Sequence, residues 1–192
     1  MKNEIENIIR ESQAAIGKIP VDKVQEAADK IFSTLENGNK LLICGNGGSA
    51  ADSQHFAAEL VGRFEKEKQP LPAISLTTDT SILTAVANDY GYDNVFAKQV
   101  KALCKKGDLL FAISTSGNSP NVLKAVELAK TIGMKSISLT GKDGGKIAGI
   151  SDIDINIPVF STARVQEAHI TVIHIICKIV EDKMLAKIKP TK

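Results

Sequence analysis

Five short apolar runs set the frame for this chain, at residues 41–44, 73–77, 109–113, 136–140 and 153–157. The run at 41–44, short and continuous, reads as a strand buried on both faces, because a face turned to water would show alternation with polar residues. Strands that alternate with helices pair in parallel, since a crossover helix carries the chain back to the end of the sheet where it started. The expected fold is therefore α/β, a five-stranded parallel sheet with helices on both faces. Ligands in such sheets bind beyond the carboxyl ends of the strands, where the strand order reverses. With 192 residues, 43% of them hydrophobic, the chain has material for one core, so 1–192 is read as a single domain.

The segments between the runs carry helical periodicity. Residues 2–16 place Ile5, Ile8, Ile9, Ala15 and Ile16 at helical spacing, and 17–20 breaks the pattern. Residues 21–35 put Val24, Ala28, Ile31, Phe32 and Leu35 on one stripe, with Asn37-Gly38 as a natural stop. These are two extra N-terminal helices, able to cover the sheet or another subunit. Further helices are expected at 49–64, 79–87, 94–104 and 121–132, with a long closing helix at 162–187. Turns are expected at 65–72, 88–91 and the glycine-rich 141–149, and a frayed Lys-rich tail follows the closing helix.

Bulk properties exclude several classes of function. A net charge of +2 and an aromatic content of 4% supply neither the electrostatics nor the stacking surface of a nucleic-acid binder. Cys44, Cys104 and Cys177 are widely spaced and set in apolar runs, as reduced core thiols rather than a disulfide framework or zinc knuckle. The N-terminus is too polar for a signal peptide, and His174 and Lys178 interrupt the longest apolar segment, at 170–180. A soluble, cytoplasmic protein is expected.

The chemistry concentrates in three places. After the first apolar run comes Gly45-Asn46-Gly47-Gly48, then Ser49 at the expected helix N-cap and Asp52 as an approximate capping box. Glycines there let the backbone approach a ligand, and a helix N-terminus favours an anion. Gly45, Gly47 and Ala50 also satisfy the dinucleotide fingerprint, but that fold needs an acidic residue roughly 20 positions on, and the acid beside the next strand, Asp79, is too far along. The second place is Ser114-Thr115-Ser116-Gly117-Asn118-Ser119, between a strand and a helix opened by Pro120. Its hydroxyls and N–H groups form an oxygen-rich cradle for a phosphate monoester, and no Walker lysine accompanies them. The third pairs two helices. His55 and Glu59 lie four residues apart on one face, while Gln166 and His174 lie eight apart, about 80° around the closing helix. His169 has only the reading of a hydrogen-bonded core histidine.

The segment CGNGGSAADSQHFAAEL beginning at Cys44, Asn88-Asp89, the STSGNS loop at Ser114, and Gln166 with His174 together resemble the phosphoheptose isomerase branch of the sugar isomerase (SIS) family. The similarity runs over nearly the whole chain, and the STSGNS loop is specific only for the broad family. It implies an SIS-type, flavodoxin-like three-layer sandwich and an aldose–ketose isomerase converting sedoheptulose 7-phosphate to D-glycero-D-manno-heptose 7-phosphate. It further implies that Ser114, Thr115, Ser116 and Ser119 hold the sugar phosphate and that Asn46, Gly47, Gly48, Asn88 and Asp89 line the sugar. Zinc, one per subunit, would be bound by His55, Glu59, Gln166 and His174, an N/O donor set in which glutamine is unusual. Moving a carbonyl between adjacent carbons needs a base for the α-proton and an acid for the oxygens. Glu59 is the better base and His174 the better acid, with Glu59 and Gln166 also touching substrate and with Asp52 and Arg63 flanking the site. The resemblance implies a homotetramer acting in carbohydrate metabolism, at the first step of ADP- or GDP-heptose biosynthesis for lipopolysaccharide, capsule or S-layer glycans. The alternative is a non-enzymatic relative that binds the replication initiator or senses a sugar phosphate.

Overall fold

The computed structural model describes residues 1–188. In chain order it contains helices α1 (Lys2–Ile16) and α2 (Val21–Glu36), strand β1 (Leu41–Cys44), α3 (Gly48–Val61), β2 (Ala73–Ser75) and α4 (Thr80–Tyr90). A 3₁₀ turn (Tyr92–Asn94) leads to α5 (Val95–Leu103), β3 (Leu109–Ser114), α6 (Pro120–Thr131), β4 (Lys135–Gly141), α7 (Gly145–Ala148), β5 (Ile153–Ile157) and α8 (Thr162–Ile188). The strands form one parallel sheet in the order β2-β1-β3-β4-β5. The chain winds outward from β1 on one side and from β3 on the other, so the order reverses between these two neighbours. Whatever follows β1 and β3 therefore stands at the crevice where such sheets bind ligands.

Helices cover both faces in three layers. On one face α2, α3 and α8 pack on Leu41, Ile43, Phe111, Ile113, Leu139 and Ile155; on the other, α5 and α6 pack on Leu42, Cys44, Leu110 and Ala112. The α2 stripe of Val24, Ala27, Ala28, Ile31 and Leu35 is buried because those positions recur on one side of a 3.6-residue period. Phe56 of α3 meets Phe111 of β3 edge-to-face at 5.1 Å, which keys α3 to the sheet centre. Truncating either ring to alanine costs about 3–5 kcal/mol. Helix α1 lies along α8 and leaves Ile5, Ile8 and Ile9 exposed. The cysteines are free thiols, and burial pushes the Cys44 thiol up to about 12. No helix among the described residues is long and apolar enough to cross a membrane.

The sheet and the long helices follow the sequence expectations; several boundaries do not. Helix α3 begins at Gly48 with Gly47 as N-cap, so Ser49 does not cap it and Asp52 completes no capping box. Gly47 takes a positive φ of 54°, and this tight turn starts the helix one residue earlier. The helix also ends at Val61, where Gly62 stops it, rather than near Phe64. Helix α4 continues through Asn88 and Asp89 to Tyr90, because its stop is Gly91 at φ 83°. The glycine-rich segment after β4 hides the one-turn helix α7. The tail expected to fray, 189–192, lies outside the described residues.

Candidate active site

The turn after β1 is built from glycines for steric reasons. A Cβ on Gly45 would stand 2.7 Å from the Ser49 carbonyl oxygen, so the first turn of α3 closes only over a glycine. Asn46 then faces Asn121 in the first turn of α6, and the two amides exchange hydrogen bonds of 2.7 and 2.8 Å. The Tyr92 hydroxyl reaches the same Asn46 oxygen at 3.5 Å. The glycine turn is thereby tied to the helix that follows the serine loop.

The serine loop at the end of β3 gathers its hydroxyls. Ser114 Oγ lies 2.9 Å from Ser119 Oγ and 3.5 Å from Ser116 Oγ, and Ser116 Oγ accepts from the Asn118 N–H at 3.2 Å. Gly117, at φ 63°, has the Gly144 carbonyl oxygen 1.9 Å from where a Cβ would be, so the loop packs against the turn before α7. Pro120 opens α6, whose free N–H groups and dipole face the hydroxyl cluster. The glycine turn and the hydroxyl cluster thus flank the switch point between β1 and β3.

Helices α3 and α8 bring the remaining chemistry together. His55 Nε2 lies 3.0 Å from His174 Nε2 and 3.4 Å from Glu59 Oε1, so the three form a row with His55 in the middle. Gln166 lies two turns before His174, and its amide nitrogen would be 2.3 Å from a Cβ on Gly48. Its side chain rests on the start of α3, beside the glycine turn. Asp52 has one carboxylate oxygen buried without a partner, and burial pushes its pKa up to about 6 against the pull of His55. Asn88 and Asp89 hydrogen-bond each other at 2.8 Å on the exposed end of α4, apart from the row. Arg63 is exposed on the turn after α3. His169 is buried, with Nε2 3.0 Å from the Thr140 carbonyl oxygen, as a core histidine should be.

The donor chemistry of the row suits zinc, which accepts imidazole nitrogen and carboxylate oxygen at about 2.0–2.2 Å. Tetrahedral bonds of that length set donor–donor edges of roughly 3.3–3.6 Å; the His55–Glu59 separation of 3.4 Å matches and the His55–His174 separation of 3.0 Å is shorter. Among the described residues no three His, Cys, Asp or Glu side chains close around a common point. Asn121 and Phe64 were not foreseen: Asn121 acts across 75 residues of sequence, and the Phe64 ring lies 5.6 Å from that of His174. The one local hint is a polar residue directly after Pro120, where a helix start faces a site.

Comparison with known proteins identifies the family. The family model for the SIS domain matches residues 6–141. The phosphoheptose isomerase of Aliarcobacter butzleri is 52% identical over 188 residues, covering 96% of this chain and 99% of that protein. That of Aquifex aeolicus is 49% identical over 185 residues, covering 95% and 97%. The solved phosphoheptose isomerase of Neisseria gonorrhoeae superposes with a TM-score of 0.88 at 48% identity, over 94% of this chain and 98% of that one. The chain belongs to the SIS-domain family and, within it, to the phosphoheptose isomerases, a branch of enzymes.

Proposed function

We propose that the protein isomerises sedoheptulose 7-phosphate to D-glycero-D-manno-heptose 7-phosphate through an enediol. The observation that carries this reading is the Glu59–His55–His174 row, set on α8 and on α3, the helix that starts from the turn leaving β1. The hydroxyls of Ser114, Thr115, Ser116 and Ser119, with the start of α6, bind the phosphate at the far end of the substrate. The Asn46 turn, Gly47, Gly48 and Gln166 line the sugar, with Asn88 and Asp89 at its rim.

With the ketose carbonyl at C2, Glu59 takes a proton from C1 and the C1–C2 enediolate forms. His174 donates a proton to the C2 oxygen and recovers one from the C1 hydroxyl, and Glu59 returns its proton to C2, which completes the aldose and restores both groups. Placed acids and bases of this kind are each worth about 10²–10⁴-fold. Zinc held by His55, Glu59, Gln166 and His174 would polarise the substrate oxygens as a Lewis acid. Glu59 has two oxygens, and the one not facing His55 is available for proton transfer.

We place the enzyme in the cytoplasm as a homotetramer, at the first step of ADP- or GDP-heptose synthesis for bacterial surface glycans. The deciding experiment is turnover of sedoheptulose 7-phosphate by the purified protein before and after chelation, with metal content and thermal stability followed in parallel. Aldose product, with a loss of stability when zinc is removed, supports both parts. A chelated protein of unchanged stability contradicts the metal assignment, and absence of turnover with zinc supplied contradicts the isomerase.

A further inference from the structure

Two buried charges hold the turn that follows α3. Glu181, fully buried on α8, accepts from the N–H groups of Phe64 at 3.0 Å, Glu65 at 3.1 Å and Lys66 at 2.9 Å. Lys68, only 8% exposed, approaches from the other side and donates to the carbonyl oxygens of Leu60 at 2.6 Å and Gly62 at 2.8 Å. The last carbonyls of a helix have no N–H partner within it; Leu60 also receives the Leu71 N–H at 3.0 Å, and an ammonium there complements the negative end of the helix dipole. Taking two ions out of water costs several kcal/mol each, more than an exposed turn requires for closure. Burial lowers the Lys68 pKa, and Glu181, Cys177, Glu59 and Glu67 act to raise it.

What the two charges fix lies next to the chemistry. Leu60 is the residue after Glu59, so the Lys68 bond holds the last turn of α3 just where the carboxylate leaves it. Phe64 receives the first of the Glu181 hydrogen bonds, and its ring lies 5.6 Å from the His174 ring, tilted by 38°. We propose that Lys68 and Glu181 are positioning residues for the isomerisation, setting the end of α3 beneath Glu59 and seating Phe64 against His174. The proposal rests on the assignment of Glu59 as base and His174 as acid. Neither charged group touches substrate; they act through the backbone of residues 60–66.

The test uses the full chain with zinc supplied. Variants Lys68→Met, Lys68→Arg, Glu181→Gln and Phe64→Leu are assayed with sedoheptulose 7-phosphate at a temperature where circular dichroism shows each folded. The histidine ring signals are followed by NMR, with His174 assigned from a His174→Ala variant. Lys68→Met and Glu181→Gln should lower kcat by about 10- to 100-fold, the scale of a small misplacement of reacting groups, with KM nearly unchanged. Lys68→Arg, which keeps the donors, should restore most of kcat. The His174 signals should move in Lys68→Met, in Glu181→Gln and in Phe64→Leu, while those of His169 stay. Folded Lys68→Met with wild-type kcat, or with unmoved His174 signals, overturns the proposal. Should both charge variants fail to fold, Phe64→Leu decides: wild-type kcat there overturns it. The His174 signals need no substrate, so a wild-type protein without turnover indicts the isomerase reading and unmoved signals indict the clamp.

Discussion

Ser119 illustrates how a residue's place in the loop predicts its kinetic signature. Its hydroxyl lies 2.9 Å from that of Ser114, at the start of α6. A grip on the phosphate is felt nearly equally in ground and transition states, so it appears in KM more than in kcat. Ser119→Ala should therefore raise KM several-fold with kcat nearly retained, as steady-state kinetics with sedoheptulose 7-phosphate would show; a collapse of kcat at constant KM would give the loop another role. Residues of this kind were legible in the sequence because loop and helix start are contiguous there. Asn121, Phe64 and Glu181 were not, because their partners are brought close only by the packing of α6 and α8; Lys68 was not, because its reach back to Leu60 and Gly62 depends on the path of the turn after α3. Ser49 was misassigned because a Ser before a helical run looks like a cap unless the positive φ of Gly47 is known.

At the scale of elements, α8 is tied to the sheet by a histidine that cannot afford its charge. His169 Nε2 lies 3.0 Å from the Thr140 carbonyl oxygen of β4, while Nδ1 is buried without a partner. Burial lowers its pKa to about 4 despite that hydrogen bond. Between that value and about 6.5, the ordinary pKa of an unfolded histidine, the unfolded chain holds a proton the folded one lacks. Stability contributed by the neutral ring is thus complete above the unfolded pKa and is lost as pH falls toward the folded one, by up to about 3 kcal/mol. His169→Gln keeps a donor and does not titrate, so its melting temperature should fall less than that of wild type between pH 7 and pH 5. Equal pH dependence would contradict this account of the α8–β4 contact. The elements themselves were legible from apolar runs and helix stops. Boundaries such as the continuation of α4 through Asp89 were not, because Asn and Asp favour turns locally while Gly91, one residue beyond Tyr90, sets the stop.

For the whole molecule, α1 is the element the single chain leaves unfinished. Ile5 and Ile9 are more than half exposed, and Ile8 is 43% exposed. The account places this face in a closed homotetramer, so light scattering should give four times the chain mass, with activity confined to the assembled form. A fully active monomer would contradict it. The proposed isomerisation by proton transfer stands on Glu59, whose carboxylate lies 3.4 Å from His55 in the row with His174. The measurement that tests it most directly is the kcat of Glu59→Gln on sedoheptulose 7-phosphate with zinc supplied. Glutamine keeps the shape and removes the basicity, so kcat should fall by about 10²–10⁴-fold, with phosphate binding by the Ser114 loop intact. Near-normal turnover would remove Glu59 from the proton transfer and contradict the mechanism.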